Sequence, residues 1–205
     1  MAEHSRTLPI LSLIVLALCL ASSAHSIPIV SVDMDPSTAG IQNQRTVTAG
    51  DTFDVDIVIA DVIPPDPLTG FEVELRFDGA LLRALSAATG DFLPTPTFEL
   101  ENTISASTVS LASISTVLSG ALGGGTLATI SFQATAPGYA DLLLGNIILS
   151  APFGVAIPYT LQPARISVAA IPEPHAAVLF AAGLLVARIY SYSPGRRANR
   201  SSRKI

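Results

Sequence analysis

The stretch that decides the fold is Gly70-Phe71-Glu72-Val73-Glu74-Leu75-Arg76-Phe77-Asp78. Its phenylalanine, valine and leucine side chains alternate strictly with glutamate and arginine. This alternation predicts a β-strand with one apolar face and one face toward solvent. A sheet built from such strands buries only one of its faces, so a second sheet must pack against it.

The same alternation returns on both sides of this stretch. Residues 53–59 and 128–132 place apolar side chains at every second position, and turns rich in glycine, proline and aspartate separate the runs. Runs near 29–33 and 164–168, and a strand in the serine-rich segment 105–119, bring the prediction to eight or nine strands. The residues predicted to face the core are Phe53, Val55, Ile57, Phe71, Val73, Leu75, Ile130 and Phe132.

The charges of the 205-residue chain are segregated. Between His25 and Ala170 there are 14 acidic residues, four arginines and no lysine, which gives a net charge of −10. An acidic body repels phosphate, so nucleic acid is not an expected partner. The single cysteine, Cys19, lies in the N-terminal apolar run, so no disulfide or cysteine metal site is expected in the mature protein.

The N-terminus has the order of a secretory signal. Arg6 precedes the apolar run 8–20, and small residues follow it. Cleavage after Ala24 and cleavage after Ser26 fit this pattern equally well, and we assign residues 1–26 to a signal peptide. An uncleaved signal helix is the alternative interpretation.

The C-terminus, residues 171–205, has three parts. Pro172-Glu173-Pro174 stops strand pairing, residues 176–187 are apolar, and a basic tail follows. The apolar run is short for a full membrane span, so we expect a transmembrane helix only if it extends past Arg188. The basic residues are Arg188, Arg196, Arg197, Arg200, Arg203 and Lys204.

This three-part arrangement resembles the PEP-CTERM sorting signal of Gram-negative bacteria. The resemblance implies an exosortase-type sorting protease that processes the chain near Pro172, Glu173 and Pro174. It also implies inner-membrane anchoring before release to the cell surface or to an extracellular polysaccharide matrix. The alternative is an ordinary tail anchor or a buried C-terminal helix. Isoleucine at 171 and the spread of the arginines depart from the family pattern.

The body of the chain, residues 27–170, resembles the cohesin domain. The phrases that carry the resemblance, in order, are 48–55, 70–78 with the following leucines, 90–92, 125–132 and Pro137-Gly138. The resemblance implies an all-β, jelly-roll β-sandwich of about nine strands that binds a dockerin-type module, in a family related to carbohydrate-binding modules. Gly79 departs from the family, where proline is usual after the aspartate, and so does the proline-rich insert 62–68.

Catalysis is not expected from this composition. The histidines are His4, His25 and His175, and none lies inside the predicted β-domain. A carbohydrate-active enzyme that uses a carboxylate pair remains the alternative. The candidate pairs are Glu72 with Glu74 and Asp54 with Asp56, both on the predicted solvent face.

Two kinds of ligand remain to be considered. The aromatic residues proposed for ligand contact are Phe92, Phe98, Tyr139 and Tyr159, although core packing is the role that the sequence favours for each. No cofactor is expected. A structural calcium ion is an option, because aspartates at 33, 35, 51, 54, 56 and 91 lie near turns. The sequence therefore predicts an exported, non-catalytic module that binds carbohydrate or protein.

Overall fold

The computed structural model describes residues 26–171, together with Leu184 and Arg188. The chain divides into two units, Met1–Ala170 and Ile171–Ile205. The signal-peptide residues before Ser26, the Pro-Glu-Pro motif and the basic tail after Arg188 lie outside the described residues. Within those residues, no helix is both long and apolar enough to cross a bilayer.

The β-domain is a sandwich of two sheets. Its strands are β1 (Ile29–Asp33), β2 (Gln44–Thr48), β3 (Thr52–Val62), β4 (Gly70–Arg76), β5 (Leu82–Thr89), β6 (Thr97–Ile104), β7 (Thr108–Ser115), β8 (Gly123–Ala134), β9 (Gly138–Ala151), β10 (Val155–Ala156), β11 (Thr160–Gln162) and β12 (Ala164–Ala169). The smaller sheet has the order β11-β1-β3-β8-β5, and the larger has the order β2-β12-β9-β4-β7-β6, with β10 paired to β9.

The fold class predicted from the sequence is confirmed, but the strand count is higher than the eight or nine expected. The additional strands are ones that alternation cannot reveal. β10 and β11 have only two and three residues, and all eight residues of the edge strand β6 are exposed. The serine-rich segment does form a strand, β7, on which Val109 and Leu111 are buried.

The core lies between the sheets and has the side chains that the alternation predicted. All eight residues predicted to face inward are at most 5% exposed. Phe132 of β8 stands at the centre, with the Phe53 ring 5.9 Å away and the Phe77 ring packed edge-on at 5.0 Å between centroids. Burial of this continuous apolar layer is the main stabilising term of a domain whose described residues contain no cysteine.

The two ends of the domain are paired with each other in parallel. The first part of the chain supplies β1 to one sheet and β2 to the other, and the last part supplies β11 and β12 in the same way. β1 pairs in parallel with β11, so that Ile29 lies opposite Thr160, and β2 pairs in parallel with β12, so that Thr48 lies opposite Ala169. Because β1 starts beside Ala60 at the end of β3, the chain enters and leaves the domain at opposite poles.

Candidate functional site

The outer face of the larger sheet carries the most distinctive exposed side chains. In β4, the inward positions hold Phe71, Val73 and Leu75, which leaves Glu72 and Glu74 on the outside. The antiparallel partner β7 follows the same period of two, and a β-bulge in β9 and another in β6 adjust the register, so each outward residue of β4 has outward neighbours on both sides. Four strands therefore present one continuous surface.

At the pole where β4 begins, this surface is apolar. Phe98 of β6 lies opposite Ile114 of β7, and Ile114 lies opposite Gly70 of β4. On the other side of β4, Ser150 of β9 lies opposite Gly70, and Ile148, the next outward residue of β9, lies opposite Glu72. Phe98, Ile114 and Ile148 are 58%, 41% and 48% exposed, and together with Gly70 they form what we call the apolar patch.

Gly70 lies directly beside Ile114 and diagonally from Ile148, because the β9 residue opposite Gly70 is Ser150. A Cβ atom at position 70 would lie 3.4 Å from Cγ1 of Ile114, so the isoleucine side chain leans over the glycine backbone. Gly70 is buried although it is on the outer face. The absence of a side chain there leaves room for the Ile114 side chain.

Carboxylates border the apolar patch on one side. The next lateral row of the sheet runs from Glu101 of β6 through Ala112 of β7 to Glu72 of β4. The Nδ2 of Asn146 donates to Oε1 of Glu72 at 2.7 Å, which holds that carboxylate beside Ile148. An apolar centre with acidic neighbours is complementary to an apolar surface with basic residues around it.

The four aromatic residues proposed for ligand contact are not brought together. Phe92 and Tyr159 are partly buried and pack against the core, and the Tyr159 hydroxyl donates to the carbonyl of Ile147 at 3.0 Å. Phe98 belongs to the apolar patch. Tyr139 is 78% exposed on the same sheet face but near the start of β9, whereas the patch borders the end of that strand.

The carboxylate pairs of the enzyme alternative lie on open sheet faces and already have partners. Asp56 accepts hydrogen bonds from Thr129 at 2.6 Å and from Thr126 at 3.1 Å, and Asp54 accepts one from Ser131. Glu74 is paired with Arg76, and Glu72 is bound by Asn146. Each pair lies on the outer face of a sheet.

The aspartates considered for calcium do not converge. Among the described residues, no group of three or more acidic, histidine or cysteine side chains could hold a metal ion. Asp33 accepts hydrogen bonds from the backbone amides of Asp35 and Gln42, both at 3.1 Å, so its carboxylate organises the β1–β2 loop. Asp51 likewise accepts from the amide of Thr48 at 2.8 Å in the β2–β3 turn.

The sorting residues Pro172, Glu173 and Pro174 and the basic residues beyond Arg188 lie outside the described residues, and Arg188 itself is helical and exposed. Ile114 and Ile148 were not singled out from the sequence. Their only signal there is an apolar side chain at an outward position of a strand, and the lateral register needed to unite them is a property of the folded sheet.

Solved structures share this architecture. A non-cellulosomal cohesin from Archaeoglobus fulgidus superposes with a TM-score of 0.56 at 12% identity, over 75% of this chain and 98% of that one. A type I cohesin from Clostridium thermocellum gives 0.58 at 15% identity, over 74% and 99% of the two chains. The domain has the cohesin fold. A type I cohesin of Pseudobacteroides cellulosolvens, 21% identical, matches this cohesin-like domain with a TM-score of 0.55 over 73% of this chain and 97% of its own.

Sequence comparison adds one relative of the cohesin-like domain. A stretch of 112 residues is 33% identical to Cellulose-binding protein A of Clostridium cellulovorans, and it covers 54% of this chain but only 6% of that protein. No protein-family model matches the chain. The resemblance to cohesins inferred from the order of the sequence phrases is thus confirmed at the level of the fold.

Proposed function

We propose that the domain is a non-catalytic, cohesin-type module that binds a dockerin-type protein module through the apolar patch. The observation that carries this proposal is the cluster of Phe98, Ile114 and Ile148 around Gly70, exposed on a flat sheet face. Exposed aromatic and aliphatic side chains grouped on one surface are typical of protein interfaces, because their removal from water stabilises a complex.

The structural neighbours support the choice of partner. Cohesins with this fold from Clostridium thermocellum and Acetivibrio cellulolyticus were solved with dockerins bound. The acidic row beside the patch adds a charge requirement, so the partner should carry lysine or arginine around its apolar contact residues. The patch lies at the pole away from Ala169, where the chain leaves the domain, so the C-terminal connection does not originate beside it.

The proposed location is the cell envelope or an extracellular polysaccharide matrix. It is supported by the signal-like order of residues 1–26, by the Pro-Glu-Pro, apolar and basic order of residues 171–205, and by the similarity to a cellulose-binding protein. In this proposal an exosortase-type protease releases the domain from the inner membrane. Anchoring is transient because the apolar run is short.

The direct test uses dockerin modules encoded by the source organism, immobilised one at a time, with the purified full chain passed over them. At least one module should retain the protein, and Phe98→Asp should abolish retention because it replaces the aromatic side chain of the apolar patch with a charge. Leu85→Asp, on an exposed side chain of the other sheet, is the matched control and should be retained normally. Absence of retention by every module, or equal retention of Phe98→Asp, would overturn the proposal.

A further inference from the structure

A second surface lies on the same sheet, at the pole opposite the apolar patch. Here β2, β12 and β9 run side by side, and their outward residues form two lateral rows. The first row contains Thr46, Ser167 and Tyr139, and the second contains Gln44, Arg165 and Asp141. Both rows are polar except for the ring of Tyr139.

Two adjoining hollows in the sheet surface lie along these rows. One, of about 210 Å³, is lined by Tyr139, Thr46 and Ser167 together with Arg45. The other, of about 390 Å³, extends past Asp141 toward Leu143 and Pro163. Gln44 and Arg165 line both, so the two hollows form a single open groove that crosses three strands. The larger hollow is within the range of about 300–1,000 Å³ that is usual for sites of small ligands.

The polar side chains of the groove are available for a ligand. Among the described residues, the side chains of Gln44, Thr46, Ser167 and Tyr139 make no hydrogen bond that would occupy them. The hydroxyl-bearing outer face of the other sheet differs, because Thr126, Thr129 and Ser131 there donate to the carboxylates of Asp54 and Asp56. Groove hydroxyls and amides can therefore donate and accept without breaking an existing contact.

The groove contains one cationic group, the guanidinium of Arg165, among polar side chains. Arg45 also borders the groove, but its guanidinium donates to the carbonyl of Met34 and lies over the Phe53 ring, away from the two outward rows. Arg165 donates from Nε to Oδ1 of Asp141 at 2.6 Å, which leaves the other nitrogens of its guanidinium free of this bond. Together Arg165 and Asp141 present planar donors and acceptors side by side.

We propose that this groove binds a neutral saccharide chain. A sugar ring has an apolar face of C–H groups, which would lie on the exposed ring of Tyr139, and a periphery of hydroxyls that both donate and accept. The mixed set of amide, hydroxyl, guanidinium and carboxylate groups matches that periphery. A polyanionic saccharide is disfavoured, since Asp141 lies in the groove and the body carries a net charge of −10.

This saccharide groove is separate from the surface in the proposed function, and the two can fail independently. The test is affinity electrophoresis of the purified full chain in native gels that contain xylan, β-1,4-mannan or mixed-linkage β-glucan, with polygalacturonate as the acidic comparison. At least one neutral polymer should retard the protein, and polygalacturonate should not. Calorimetry with oligosaccharides of the retarding polymer then gives the affinity of each variant.

Tyr139→Ala and Arg165→Ala should each weaken this affinity at least about tenfold, whereas Tyr139→Phe, which keeps the ring, should retain most of it. Leu85→Ala is the control, because it removes an exposed apolar side chain from the other sheet, and its affinity should equal that of the wild type. No retardation by any neutral polymer, retardation by polygalacturonate alone, or an unchanged affinity of Tyr139→Ala would overturn the proposal. A far-UV circular dichroism spectrum and a thermal unfolding midpoint like those of the wild type would show that Tyr139→Ala is folded, whether or not a dockerin binds.

Discussion

Phe98 and Ile114 lie directly opposite each other on β6 and β7, and both side chains point into solvent. Truncation of either should weaken dockerin binding. We expect Phe98→Ala to cost at least about tenfold in affinity and Ile114→Ala somewhat less, because the larger aromatic side chain buries more surface. Surface plasmon resonance with an immobilised dockerin measures the effect.

Leu85→Ala is the control for this pair, since it removes an equally exposed side chain from β5 of the other sheet. Its affinity should equal that of the wild type. Wild-type affinity in both Phe98→Ala and Ile114→Ala would place the contact elsewhere on the domain.

Truncation of buried side chains tests which face of β8 points into the core. Ile130 and Phe132 of β8 are fully buried, so Ile130→Ala should lower the free energy of unfolding by about 2–5 kcal/mol and Phe132→Ala by about 3–5 kcal/mol. Chemical denaturation followed by circular dichroism gives these values. Losses below about 0.5 kcal/mol at both positions are what exposed sites show, and they would mean that the register of β8 is reversed.

The glycine at position 79 explains a departure from the cohesin pattern. A Cβ atom there would lie 2.2 Å from the carbonyl oxygen of Ala106, so the turn after β4 packs directly on the turn between β6 and β7. Gly79→Ala should cost about 1–3 kcal/mol by overpacking. Gly154→Ala is the comparison, because its Cβ would meet nothing within 4 Å and only its positive φ of 77° adds strain. Thermal unfolding measures both variants. A smaller loss of stability in Gly79→Ala than in Gly154→Ala would contradict the close approach of Gly79 to Ala106.

The ion pair between Arg165 of β12 and Asp141 of β9 makes the stability of the domain depend on pH in a defined direction. The hydrogen bond from Arg165 lowers the pKa of Asp141 below its ordinary value of 3.8, and the positive charge of Arg165 acts in the same direction. The folded-state pKa is depressed, so the stabilisation is complete above the unfolded value and is lost as the pH falls through the folded value. This stabilisation is small, because both side chains of the pair are exposed to solvent. A carbon-detected NMR titration should show the Asp141 pKa rising in Arg165→Ala, and an identical value in both proteins would exclude the effect.

Processing of the two ends is tested by mass spectrometry of the surface-exposed protein from its native host. The mature protein should begin at His25 or Ile27, and its C-terminus should lie near Pro172-Glu173-Pro174. Deletion of the sorting protease should leave the chain intact through Ile205. Exported protein that begins at Met1 or Ala2 contradicts the signal peptide. An intact tail in the presence of the protease, or normal processing of Glu173→Ala, contradicts the sorting signal.

The inward face of the sandwich could be predicted because it rests on a local rule. In β3, β4 and β8, every second side chain is apolar, and burial of one face fixes which set is inside. This rule does not predict β6, since residues 97–104 are all exposed and an edge strand needs no buried face. β11, with only residues 160–162, is too short for any period to be visible.

The candidate site depended on relations that the linear sequence does not contain. Nothing near Phe98 in the chain indicates Ile148, which comes to the same sheet face only when β6, β7, β4 and β9 align. Tyr139 was recognisable as a candidate, but the groove beside it requires Gln44 and Arg165 from two other strands. Lateral register across a sheet joins residues that are far apart in sequence, and single-strand patterns do not report it.

The parallel pairing of the two chain ends has a mechanical consequence. A pulling force applied between Ile29 and Ala169 acts along the strands, since the chain enters at one pole and leaves at the other. β1 is then drawn against β11, and β2 against β12, in the direction in which all of their hydrogen bonds are loaded together in shear. Such a domain resists extension by the combined strength of these ladders, so that its ends separate only when both parallel pairs break.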